Sequence, residues 1–184
     1  MTTTTASPDP ETTLAEWRAA EAAARTRLRG FGQATPEQIA GKSGLEVMRG
    51  LLAGELPAPP ISETLDFVLV EVDRGRALFQ GRPQLKHYNP LGGVHGGWFA
   101  TLLDSCMGCA VHTTMPPGRA YTTAELKINI VRPLSDRVPF VRAEGRVIHE
   151  GRRMSTADGR LFGADGKLYA HGSTTCFVYE AAER

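Results

Sequence analysis

The chain has 184 residues, enough for one domain with a sizeable core. It carries 21 Lys and Arg against 20 Asp and Glu, a formal charge of +1, so it lacks the basic excess that binding to a nucleic-acid backbone requires. Hydrophobic residues at 41% and charged residues at 22% exclude disorder throughout, and three cysteines cannot form a disulfide framework. No run approaches ~20 apolar residues, so no membrane partner is expected. The first residues have no basic or apolar leader pattern, and the expected compartment is the cytoplasm.

Residues 1–13 read as a disordered, Thr-rich tail with nothing to bury. Residues 14–60 read as a helical extension. Leu14, Trp17, Ala20, Ala24 and Leu28 fall near helical spacing, Thr35-Pro36 marks a new helix start, and Ser43 to Ala53 forms a further short helix. Leu56 to Pro60 reads as a stiff linker. Residues 61–184 form the main domain. There the period changes to two: Thr64–Val72 and Ala77–Gly81 make a hairpin. A Gly- and Pro-rich loop, 82–94, leads to a helix over His95–Thr113 whose apolar residues surround most of its circumference, so it should be buried. Strands follow at Thr123–Val131, Phe140–His149, Arg153–Phe162 and Leu168–Tyr179, with a bulge expected at Asp158-Gly159. The fold class is α+β, an antiparallel sheet of about six strands on one long helix. Its second face and its edges would need cover, which favours a homodimer or a dimer of dimers.

Several chemical patterns fail. The glycines from Gly92 to Gly97 do not follow the dinucleotide-binding order, Gly163 to Lys167 is too short for a P-loop, and no nucleophile elbow occurs. Cys106 and Cys109 have redox spacing but sit inside a helix, where small-residue packing is the better account. The five histidines show no metal spacing, so no metal is expected.

Two features remain. Gly96 and Gly97 open the buried helix, where free amides and the positive dipole end can bind an anion or polarise a carbonyl oxygen, although close helix–sheet packing explains glycine equally well. Asp104 is the only acid between Asp73 and Glu125. It lies in the most apolar helix with no Lys or Arg within a turn, which favours a functional carboxylate over one on a solvated stripe.

Asn89, Gly92, His95-Gly96-Gly97, Asp104 and the run Thr123-Ala124-Glu125-Leu126-Lys127-Ile128-Asn129-Ile130-Val131-Arg132-Pro133 together resemble the signature of the PaaI-like acyl-CoA thioesterases of the hotdog fold. The likeness extends more loosely over 64–179. It implies a sheet wrapped around one central helix and hydrolysis of an acyl-CoA to free acid and CoA. It implies no cofactor, CoA being part of the substrate. In such a site Gly97, with Gly96, would polarise the thioester carbonyl. Asp104 would act as general base or as nucleophile. Asn89 would hold the carbonyl or the water, and Thr123, with Thr122 as its neighbour in register, would position that water. His95 would shape the turn, with a direct catalytic role the lesser alternative. Arg152 and Arg153 would meet the CoA phosphates, unless they are simply solvated. A hotdog enoyl or acyl hydratase and a non-catalytic acyl-CoA-binding protein are the rival functions. Gly96 and Asp104 stand ~12 Å apart along the helix axis, too far for one short side chain to bridge, so Asn89 and Gly97 of one subunit are expected to meet the partner's Asp104.

Overall fold

In the computed structural model, which describes residues 9–181, helix α1 spans Pro10–Arg27. Asp9 caps it by accepting from the Thr12 N–H at 3.2 Å, and Pro10 takes the first turn, where no N–H is needed. The cap therefore pulls residues 10–13 out of the expected tail and into the helix; residues 1–8 of that tail lie outside the described residues. Helices α2 (Pro36–Ile39) and α3 (Gly44–Ala53) each start on a capping box, Thr35 with Gln38 and Ser43 with Glu46.

The segment expected to be a free linker is tied down. Ala58 N–H donates to the Gly30 carbonyl and Gly32 N–H to the Ala58 carbonyl, Leu56 is buried, and Pro60 opens a further helix, α4 (Pro60–Thr64). Strand β1 consequently begins at Phe67 and runs to Asp73, later than its β-branched start at Thr64 suggested.

Strand β2 (Arg76–Gly81) completes the hairpin, and helix α5 (Gly96–His112) follows a loop containing a short 3-10 turn. Strands β3 (Arg119–Ile130), β4 (Val141–His149), β5 (Met154–Gly163) and β6 (Leu168–Glu180) complete one antiparallel sheet in the order β1-β2-β4-β5-β6-β3. This is the hotdog arrangement. Trp98, Phe99, Leu102, Leu103, Met107 and Val111 of α5 are almost wholly buried against Ala77, Ala143, Ala157 and Ala170 of the sheet. Small strand residues leave room for large helix residues, which is how an interior reaches close packing.

Asp158 and Gly159 do not bulge; they pair in register with β4 on one side and β6 on the other. Glycine is needed there for the helix instead. A Cβ at Gly159 would lie 2.8 Å from Met107 Cγ, and one at Gly145 on the neighbouring strand would lie 2.2 Å from the Cys106 carbonyl oxygen.

The extension covers one edge and part of the outer sheet face. Gln80 points away from α5, yet is fully buried and donates to the Trp17 carbonyl at 2.9 Å. The Trp17 ring meets Phe162 edge-on at 5.9 Å, under the Arg142 guanidinium at 4.5 Å. Glu21, 1% exposed, pairs with Arg25 at 2.6 Å and Arg82 at 2.7 Å. The outer face expected to be bare is thus partly covered within the chain. The far edge, the twelve-residue β3, has no neighbouring strand on one side.

Candidate active site

The loop before α5 is built to present the helix start. Asn89 Oδ1 accepts from the N–H groups of Leu91 (2.9 Å) and Gly93 (3.3 Å), closing a turn in which Gly92 adopts φ 87°, a conformation that favours glycine. The His95 N–H donates to the His87 carbonyl at 2.8 Å, and Val94 N–H to that of Leu134 at 3.1 Å. His95 is the N-cap of α5, its Nδ1 accepting the Gly97 N–H at 2.9 Å. Gly96 packs beside Ile130 of β3. Asn89, His95, Gly96 and Gly97 therefore meet at one end of α5. The capping role of His95 is additional to what the sequence disclosed: in this state the Gly97 amide is engaged by an imidazole nitrogen of its own chain.

Two turns further on, Thr123 Oγ1 donates to Asp104 Oδ1 at 2.9 Å. Thr123, and not Thr122, faces the helix, two residues on from Tyr121 and just before an irregularity in the β3–β6 ladder. No basic side chain pairs with Asp104 among the described residues. Gly97 and Asp104 are seven positions apart, which puts them on nearly the same face of α5 and ~10 Å apart along its axis. Thr101 and His112 share that half-buried face. Strand β3 runs alongside it, with Ile130 at Gly96, Thr123 at Asp104 and Tyr121 at Gly108.

Toward the end of α5, the Tyr121 and His112 rings lie 5.6 Å apart. Burial pushes the Cys109 thiol up to about 12 and the Cys106 thiol well above its ordinary range, so neither supplies a thiolate. Trp98 and Phe99 are core residues: Trp98 stacks on His87 at 5.5 Å and donates its indole N–H to the Leu65 carbonyl.

Arg152 and Arg153 are exposed in the β4–β5 connection, at the far end of α5 from Asn89 and Gly97. Arg152 borders an open groove of about 310 Å³ between Thr114, Arg119 and Glu150. Glu150 is held by Arg74 at 2.7 Å. Among the described residues no three His, Cys, Asp or Glu side chains converge on a possible metal position, and no helix is long and apolar enough to cross a membrane.

Known proteins share this plan. The Thioesterase superfamily model matches residues 91–170, which contain the helix start, Asp104 and Thr123. The Saccharolobus solfataricus protein named "Putative esterase SSO2140" is 32% identical over 122 residues, covering 66% of this chain and 84% of that protein. A Ralstonia eutropha JMP134 crystal structure, titled as a thioesterase-type, phenylacetic acid degradation-related protein, superposes with TM-score 0.64 at 30% identity, over 70% of this chain and 97% of that one. The E. coli PaaI protein shares the fold, with TM-score 0.60 at 18% identity over 67% of this chain and 86% of its own. The carboxylate and helix-start geometry, the wrapped helix and these relatives agree, and the chain belongs to the thioesterase superfamily as a PaaI-like protein of the hotdog fold.

Proposed function

We propose that the protein hydrolyses acyl-CoA thioesters to a free acid and CoA at a site shared between two subunits. The observation that carries this reading is the Asp104–Thr123 hydrogen bond on nearly the same face of α5 as the exposed Gly97 at its start. The Thr123 hydroxyl holds one carboxylate oxygen of Asp104 and leaves the other free to work.

The substrate carbonyl oxygen lies at the start of α5, where the Gly96 and Gly97 amides and the helix dipole stabilise the oxyanion that forms on attack. It competes with His95 Nδ1 for the Gly97 N–H. Asn89, whose Oδ1 is occupied by the loop, offers its Nδ2 to the same oxygen or to water. Asp104 removes a proton from water as the water oxygen bonds to the carbonyl carbon. The carbon–sulfur bond then breaks, and the thiolate leaves as CoA, taking up the proton. Direct attack by the Asp104 carboxylate, giving an anhydride that water opens, uses the same placement. Neither route needs a cofactor.

Within one chain, ~10 Å separates the Gly97 amide from Asp104, whereas both must touch one carbonyl group. A two-fold axis beside Ala100 and Thr101 brings the partner's Asp104 to Gly97, with the bare β3 edges available for pairing. The same axis carries Arg152 of the partner subunit and the partner's Arg153 toward this chain's Asn89 end, where the CoA phosphates of the bound substrate would find them.

The test is an acyl-CoA panel with a thiol-trapping reagent. Thiol release supports hydrolysis, an absorbance change without thiol indicates hydration, and binding without either indicates a carrier. Asp104→Asn is expected to lower kcat by ~10²-fold or more with KM little changed. Full turnover in that variant contradicts the reading.

A further inference from the structure

The helical extension does more than cover an edge. Between it, the start of the sheet and α5 lies a cavity of about 50 Å³, walled by Ala24 and Leu28 of α1, Met48, Leu51 and Leu52 of α3, and Cys109 of α5. The one hydroxyl in its wall, on Ser62, is bonded to the Pro59 carbonyl at 2.7 Å. Cys109 presents a neutral thiol, because burial pushes it up to about 12. The cavity therefore has nothing to offer a polar group, and apolar atoms are its natural content. The extension that builds it lies outside residues 91–170, the region matched by the family model.

Its position relates it to the proposed chemistry. Cys109 is five residues beyond Asp104, ~7.5 Å further along α5 and about 140° around it. An extended alkyl chain advances about 1.3 Å per carbon for C–C bonds of ~1.5 Å. At least about six carbons thus separate Asp104 from the cavity, and a benzene-sized ring, which fills a cavity of about 150 Å³, does not fit inside it. Taking the thioester-hydrolysis reading as its basis, we propose that this cavity receives the methyl end of an unbranched acyl chain of about eight carbons. The substrate class is a medium-chain alkanoyl-CoA, and the extension sets the chain length.

The measurement is kcat/KM across butyryl-, hexanoyl-, octanoyl-, decanoyl- and phenylacetyl-CoA, for wild type, Ala24→Leu and Leu52→Ala, with circular dichroism to verify folding. Wild type should gain about fourfold for each methylene that reaches the cavity, and prefer octanoyl- over phenylacetyl-CoA. Ala24→Leu, which fills the cavity, should lower the octanoyl-to-butyryl ratio about tenfold. Leu52→Ala, which enlarges it, should move the optimum to a longer chain, and this variant decides alone if Ala24→Leu does not fold. An unchanged chain-length profile in folded variants overturns the inference while leaving hydrolysis standing, as does a preference for phenylacetyl-CoA that neither substitution moves. If no acyl-CoA releases thiol, the hydrolysis reading fails separately, and calorimetric binding of octanoyl- against butyryl-CoA decides the cavity. A preference for octanoyl-CoA that Ala24→Leu abolishes upholds it; equal affinities overturn it.

Discussion

Thr123 offers the finest control over the proposed chemistry, because its hydroxyl is the only protein group among the described residues that hydrogen-bonds the Asp104 carboxylate. Thr123→Val keeps the shape and removes the donor. It is expected to lower kcat about tenfold with KM little changed, and Thr123→Ser should restore most of the rate. An unchanged kcat would show that the carboxylate needs no such restraint. Asp104 was visible in the sequence as an unpaired acid in an apolar helix. The capping role of His95 was not, because it depends on how the preceding loop folds back through the His87 carbonyl and the Asn89 turn. Two other histidines give the protein a pH dependence. Burial draws His87 down, aided by nearby Lys86 and opposed by Asp66, and burial draws His112 down. His87 Nε2 and His112 Nδ1 are buried without hydrogen-bond partners. Folding therefore favours the neutral rings. Their contribution is complete above the unfolded-state value of about 6.5 and is lost as pH falls from there toward the lower folded values. The melting temperature should drop between pH 7 and 5.5, and His112→Gln should flatten that drop. A Tm constant over this window would contradict the account.

At the scale of elements, α1 decides how much of the sheet stays dry. Trp17 is 6% exposed, between Phe162 and Arg142, and its carbonyl takes the amide proton of buried Gln80. Trp17→Ala is expected to destabilise the fold by about 3–4 kcal/mol, measured by urea unfolding. A loss below ~1 kcal/mol would mean that α1 is only loosely applied. The strands after α5 were legible because apolar residues alternate along them, and α3 because Leu45, Met48, Leu51 and Leu52 fall on one side of it. The docking of α1 was not legible. Its buried side includes Glu21, and the sheet surface it meets includes Gln80 and Arg142, so the contact is written in polar residues that satisfy one another. Likewise, Gly159 looked like a bulge residue until α5 was seen lying against it, and against Gly145 of the neighbouring strand.

For the whole molecule, the arrangement of groups along α5 poses the decisive question. One chain holds Asn89, His95, Gly96 and Gly97 at one end, Asp104 with Thr123 near the middle, and Arg152 and Arg153 beyond the other end. A two-fold pairing makes each end of one helix complementary to the other half of its partner. Sedimentation should accordingly show a species of about 40 kDa or a multiple of it, from a chain of 19.9 kDa. Complementation between subunits is the most direct test. Asp104→Asn removes the carboxylate, while Asn89→Asp keeps the Oδ1 contacts to Leu91 and Gly93 and removes the Nδ2 donor. Each variant alone should be nearly inactive. After equal mixing with subunit exchange verified, half of the dimers carry one chain of each kind, and one of the two sites in each is intact, so activity should recover to about a quarter of wild type. Recovery at that level is the predicted result; a mixture no more active than its two components would place the whole site within a single chain.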